Sequence, residues 1–377
     1  MIYVVRPGDT LYELAERYGI SADQIAYDNQ IQNRRALVPG EALLLRGVEP
    51  EPEPVRQMEV SGYAYAFIEQ GILQEALSYI NELLIFSYGF TVTGDLIPPL
   101  YNDLPLIEQA WQTGTEPYLV LTPFGVDGSF NNYLVKLAVT DETVQRNLID
   151  QLLYTVQSRG YAGVDVDFEY ILPEDREKYA AFVGNLRTRM NQNGYRVSVA
   201  LAPKTSGTQA GLLYEGMDYR LLGESADWVF LMTYEWGYTY GPPMAVAPIN
   251  KVRQVLSYAV QEIPAEKIMM GIPNYGYDWT LPYERGTTRA RLIGNVEAVE
   301  LASENGATIQ FDETAQSPYF FYERDGLSHE VWFEDVRSME VKLRTASDYG
   351  FRGVGYWNLM RPFRANWLLL REMMGET

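Results

Sequence analysis

Short apolar segments recur along most of the chain: VSGYAYAF from Val60, ELLIFSYGF from Glu82, PYLVLTPF from Pro117, AGVDVDFEY from Ala162, YRVSVALAP from Tyr195, ADWVFLMTYEW from Ala226, KIMMGIPNYGYDW from Lys267 and FRGVGYWNL from Phe351. Each reads as a buried strand. The stretches between them, such as TVQRNLIDQLLYTVQSRG and REKYAAFVGNLRTRMNQNG, place apolar residues at helical spacing and close on Gly160 and Gly194. Eight strands alternating with helices over about 320 residues is the count for a (β/α)8 barrel, whereas the rival, a doubly wound open sheet, usually has fewer strands. The beat breaks across 279–331, where RLIGNVEAVELASENG and FFYERDGLSHEVWF predict a small α+β insertion between the seventh strand and its helix.

The pattern also changes near the amino terminus. After ALLLRG comes VEPEPEPVRQ, whose alternating Glu and Pro predict a stiff, solvated connector that does not pack. The division is therefore 1–47 for a small module, 48–58 for the linker and 59–377 for the barrel. Within the module, Val4-Val5 and Leu43-Leu44-Leu45 predict two strands. Between them Thr10 caps a helix carrying Leu11 and Leu14, and Ser21 caps a second carrying Ile25. This βααβ order, with Tyr3-Val4-Val5, Pro7-Gly8-Asp9-Thr10-Leu11, Ile20-Ser21, Asn29 and Leu37-Val38-Pro39-Gly40-Glu41, resembles a LysM module. The resemblance implies binding of N-acetylglucosamine glycans between two loops, with Gly8, Asp9, Thr10, Leu11 and Asn29 as candidate contacts. The plainer roles of capping a helix and turning the chain hold beside it.

Composition narrows the chemistry. A net charge of -20 opposes a nucleic-acid or anionic-membrane partner and favours a neutral one such as a sugar. Without cysteine, and with His329 as the single histidine, thiolate chemistry and histidine metal clusters are excluded. The segment MIYVVRPGDT lacks the pattern of an export signal, so synthesis in the cytoplasm without one is expected. A monomer with no cofactor is expected.

The acids are the distinctive feature. In YAGVDVDFEY, Asp165, Asp167 and Glu169 alternate with Val166 and Phe168, so a strand here turns all three acids to one face. Facing inward, they repel one another, and at least one holds a proton near neutral pH. A neutral carboxylic acid beside an ionised one suits glycoside cleavage. A solvated surface strand and an oxygen-ligand site for Mg²⁺ or Ca²⁺ are the alternatives that spacing leaves open.

Gly163 to Glu169 resembles the DxxDxDxE signature of glycoside hydrolase family 18, the chitinase-like barrels. Further likeness lies in Met232-Thr233-Tyr234, Gly271 to Gly276, Val331-Trp332-Phe333 and Gly353 to Trp357. The resemblance implies Glu169 as proton donor and attack by the sugar's own acetamide group. Asp167 holds that acetamide, Asp165 shares a proton with Asp167, and Tyr234 donates to the acetamide oxygen. Trp357 lies under the sugar, while Glu235, Asn274 and Tyr275 line the cleft. Trp236 and Trp279 are either outer platforms or hinges of the insertion.

Three departures stand out. Ala162 replaces the first Asp of the signature, a structural position. Leu119-Val120-Leu121-Thr122 stands where many chitinases have Ser-x-Gly-Gly, and Glu235 replaces the usual Asp. With the LysM-like module and no export signal, the last two look like the bacterial spore-associated branch, cortex-lytic and spore-coat glycosidases acting on N-acetylglucosamine bonds in peptidoglycan. A chitin-directed hydrolase and a catalytically silent glycan-binding coat protein are the alternatives.

Overall fold

A computed structural model describes residues 1–33, 37–126 and 128–375. Eight parallel strands form its centre: β1 (Glu59–Tyr65), β2 (Glu82–Phe90), β3 (Glu116–Leu121), β4 (Gly163–Val166), β5 (Arg196–Leu201), β6 (Trp228–Leu231), β7 (Ile268–Pro273) and β8 (Gly353–Trp357). Each pairs with the next, and β8 pairs with β1, with Gly355 opposite Ser61, so the sheet closes. This is the (β/α)8 barrel, and closure removes the exposed sheet edges that an open doubly wound sheet would leave.

The helices form because their apolar faces match the outside of the barrel. The helix Glu142–Arg159 starts where the Asp141 side chain accepts from the backbone N–H groups of Thr143 and Val144, and stops where Gly160 adopts φ +83°. Its residues Leu148, Leu152 and Val156 are fully buried.

The insertion spans slightly more than the pattern predicts. Its first strand is Gly276–Leu281 and its last Leu327–Trp332, within a five-stranded antiparallel sheet that carries the helix Asn295–Glu304. Trp279 is fully buried and donates from Nε1 to the Gly241 carbonyl at 2.8 Å, so it anchors the insertion on the loop after β6 and is not a platform for sugar.

At the amino terminus the strands Ile2–Val4 and Ala42–Leu44 pair antiparallel around the helices Leu11–Tyr18 and Ala22–Asp28. Thr10 and Ser21 cap those helices as expected, accepting from the backbone N–H groups of Glu13 and Gln24.

The connector departs from expectation. Pro52 is buried, and Val55 donates its N–H to the Met373 carbonyl at 2.8 Å. The module is likewise seated on the barrel. Leu44 joins the main barrel core and Val38 the core of the insertion. Ile309 donates its N–H to the Pro39 carbonyl at 2.9 Å, and Arg364 donates to Gln30 and to the Tyr27 carbonyl while stacking on the Tyr27 ring. Gly40, at φ +85°, passes so close that a β-carbon there would stand 1.8 Å from the Ile309 carbonyl oxygen. Proline stiffness was legible in this segment. The apolar residues Val48, Val55 and Met58, which give it something to pack with, outweigh the flanking charges.

Candidate active site

The three acids lie at the carboxyl end of β4, and only Asp165 lies within the strand. The inward–outward alternation nevertheless continues to Glu169, because Phe168 is fully buried and stacks with Phe90, Tyr179 and Phe182 at centroid distances of 5.7, 5.8 and 5.7 Å. That aromatic anchor fixes the segment, and the acids take the opposite face. A solvated surface strand is therefore excluded.

Asp165 sits deepest and is fully buried. Ser198 on β5 donates to its Oδ1 at 2.6 Å, and Tyr63 on β1 donates to its Oδ2 at 2.8 Å. Burial lifts its carboxyl to about 6 against the pull of these two hydrogen bonds. Neither hydroxyl was singled out from the sequence. Ser198 is opposite Asp165 in the β4–β5 register, whereas the β3 neighbour of Asp165 is Val120. A polar residue in the middle of an otherwise apolar strand, as in RVSVAL, was the signal that could have found it.

Asp167 is next outward and is also buried, with its Oδ1 lacking any hydrogen-bond partner. Burial, then the charges of Glu169 and Asp165, push it well above the usual carboxylate range. Glu169 is partly exposed to the pocket and is raised by burial and then by the neighbouring charge of Glu235. The row thus holds protons at a pH where isolated carboxylates have lost theirs.

These side chains open into a pocket of about 420 Å³, lined by Asp167, Glu169, Tyr234, Glu235 and Trp357. Trp357, at the end of β8, meets Phe86 and Tyr63 edge-on at centroid distances of 5.1 and 5.4 Å, which fixes its indole in the wall. Tyr234 follows β6, and its neighbour Thr233 donates to the Gly271 carbonyl at 2.7 Å, tying this loop to β7. Burial and then the charge of Asp167 hold the Tyr234 phenol well above its ordinary range, so it remains a hydrogen-bond donor. Trp236 also lines the pocket. The non-proline peptide bonds Phe86–Ser87 and Trp357–Asn358 are both cis.

Glu235 stands at the mouth in the left-handed region, with φ +66°. Its Oε1 accepts from Tyr275 at 2.5 Å and from Tyr277 at 3.0 Å. Although the side chain reaches solvent, the protein atoms crowded around its carboxyl raise it, opposed by the two tyrosine bonds. Tyr275 therefore reaches the site through Glu235, and it is absent from the pocket wall, as is Asn274. The Asn274 side-chain amide donates to the carbonyls of Asn358 and Arg361, bracing the loop behind Trp357.

In the module, Gly8 and Thr10 lie at the surface and Leu11 is buried in the small core. Asp9 accepts from the Tyr3 hydroxyl and the Arg6 N–H. Asn29 exchanges hydrogen bonds with the Leu44 backbone, joining helix to strand. It borders a separate cavity of about 260 Å³ in the seam between module and insertion. Among the described residues, no three metal-ligating side chains converge on a cation position.

Comparison with known proteins gives a consistent outcome. Residues 125–361 match the Glycosyl hydrolases family 18 description, and residues 3–46 match the LysM domain. A cortical fragment-lytic enzyme of Bacillus subtilis (strain 168) is 40% identical, with 98% of this chain and 97% of that protein aligned. The crystal structure of the spore cortex-lytic enzyme SleL of Bacillus cereus superposes with a TM-score of 0.93 at 33% identity, covering 99% of this chain and 98% of the other. A chitinase of Chromobacterium violaceum shares the fold, with a TM-score of 0.78 at 23% identity over 85% of this chain and all of that one.

Proposed function

This chain belongs to glycosyl hydrolases family 18, with a LysM domain ahead of its barrel, and from that membership we propose that it cleaves N-acetylglucosamine glycosidic bonds in peptidoglycan with retention of anomeric configuration. As a family member it is a glycoside hydrolase. Its relatives are named for cortex and cortical fragments, so the proposed substrate is spore cortex glycan or fragments of it, and the proposed location is the spore.

The observation that carries this reading is the graded row of acids at one pocket: Asp165 buried on two hydroxyls, Asp167 buried with a free oxygen, and Glu169 reaching the opening. Glu169 gives its proton to the glycosidic oxygen as the bond to the anomeric carbon breaks. The carbonyl oxygen of the sugar's 2-acetamido group forms the new bond to that carbon, giving an oxazolinium ion. Asp167 accepts the acetamide N–H and balances the positive charge, its unpartnered Oδ1 being the available acceptor. Asp165 supports Asp167 by taking part in the proton shared along the row, and Tyr234 donates to the acetamide oxygen. Water then attacks the anomeric carbon, losing its proton to Glu169, and the acetamide is regenerated. Trp357 supplies an apolar face for the sugar ring.

The test is the chemistry of the new ends. Cortical glycan digested by the purified protein, then reduced with borohydride and hydrolysed, is expected to yield N-acetylglucosamine-derived alditol at the new reducing ends. Muramic acid-derived alditol would assign the cleavage to the other bond of the repeat. Absence of any new ends would leave glycan binding as the function.

A further inference from the structure

We propose that Asn295, at the start of the insertion helix, is a positioning residue for Trp357 and acts on it through Asn274. The role rests on the hydrolase reading above and deepens it, because it gives the insertion a part in holding the reacting sugar.

Trp357 is the last residue of β8, so its indole is guided by Phe86 and Tyr63 while its backbone runs directly into a loop. Asn274, the residue after β7, grips that exit twice. Its N–H donates to the Trp357 carbonyl at 2.9 Å, and its side-chain amide donates to the carbonyls of Asn358 and Arg361 at 3.1 and 3.0 Å. Those side-chain donations commit Nδ2, so the Oδ1 of Asn274 requires a donor of its own. Asn295 supplies it. Its Nδ2 donates to that oxygen at 3.3 Å, while its Oδ1 accepts the Glu334 N–H at 2.9 Å. A backbone donor at one end of this row and backbone carbonyls at the other fix the orientation of both amides. Each asparagine is only 2% exposed, so bulk water does not replace a lost partner. The start of the helix is itself set. Gly294 donates its N–H to Glu297 Oε2 at 3.1 Å, and a β-carbon on Gly294 would stand 3.1 Å from Arg361 Cδ, so the insertion lies against the same loop. Neither Asn274 nor Asn295 lines the pocket, and their route to a bound sugar is the loop that carries Trp357. A shift of about 1 Å in a group that positions substrate costs up to roughly a hundredfold in rate, so loosening this seat by one hydrogen bond is expected to cost about tenfold.

Rates on a soluble muropeptide test the role, with the full-length protein held well below its unfolding transition. Asn295→Ala is expected to lower kcat/KM by about tenfold, with most of the loss in kcat. In a Trp357→Ala background the same change is expected to cost less than about twofold, because the group it positions is gone. An equal factor in both backgrounds, or no loss in the first, overturns the role. Asn295→Asp keeps the acceptor for the Glu334 N–H and decides the matter if the alanine variant folds poorly. While protonated, the new carboxyl donates to Asn274 as the amide did; once ionised, it sets an oxygen against an oxygen. The rate of this variant relative to wild type is therefore expected to lie near one at about pH 5 and to fall severalfold by about pH 9, whereas a constant ratio overturns the role. If the wild-type protein cleaves no muropeptide, the proposed function falls and this role with it.

Discussion

Glu169→Gln is expected to lower turnover by about a thousandfold or more, since general-acid catalysis contributes up to roughly ten-thousandfold and the sugar leaving group is poor without a proton. Glycan affinity should change little, because the amide preserves the shape and hydrogen-bonding reach of the side chain. Steady-state rates on a soluble muropeptide, together with calorimetric binding of the same ligand, separate the two effects. A variant that keeps more than about a tenth of the wild-type rate would remove Glu169 from the acid role. The pH profile carries the same assignment. Burial and the charge of Glu235 raise Glu169, so the protonated, active form persists above the ordinary carboxylate range and activity declines on the alkaline side as that proton is lost.

Asp167→Asn should have the next largest effect, about a hundredfold or more in kcat, because an amide neither balances the charge of the oxazolinium nor takes part in the shared proton. The structure makes this position sensitive. Asp167 is buried, its Oδ1 has no protein partner, and Glu169 and Asp165 both act on its ionisation. If turnover fell less than about threefold while Glu169→Gln was severe, the acetamide would be held by another group, and Tyr234→Phe would then show the larger loss.

Much of this arrangement was legible in the chain because the physical signals were local. Alternation of acids with Val166 and Phe168 identified an inward face, and buried Phe168 extends that face two residues beyond the end of β4. Apolar segments separated by helices gave all eight barrel strands, since parallel strands covered on both sides read as nearly continuous apolar runs. What stayed hidden depended on partners far apart in sequence. Tyr63 and Ser198 reach Asp165 from residues 102 and 33 positions away, and Tyr277, on the first strand of the insertion, reaches Glu235 from 42 positions away. Asn274 had the right strand-end position for a cleft residue, but its amide is taken by Asn358 and Arg361 on the neighbouring loop. The Glu-Pro connector misled for a related reason. Its charge and prolines are local properties, whereas the partners of Val55 and Glu53, the Met373 carbonyl and the Arg344 side chain, come from the carboxyl-terminal part of the chain.

The seated module alters how its contribution is understood. A free tether would raise local concentration without touching the barrel. Here Val38 and Leu44 are shared with the cores of the insertion and the barrel, so the module is held in one orientation on the barrel.

The central claim is that the substrate's own acetamide replaces an enzyme nucleophile, and its most direct test is the rate on two glycans of equal length that differ only in whether the sugar on the non-reducing side of the scissile bond carries an N-acetyl group or a free amine. The account predicts turnover of the acetylated glycan and a loss of about a thousandfold or more for its deacetylated counterpart, because the attacking oxygen is gone and intramolecular attack is worth a large effective molarity. Cleavage of the deacetylated glycan within about tenfold of the acetylated one, at a pH where both bind, would contradict it and require a carboxylate of the enzyme to attack in its place.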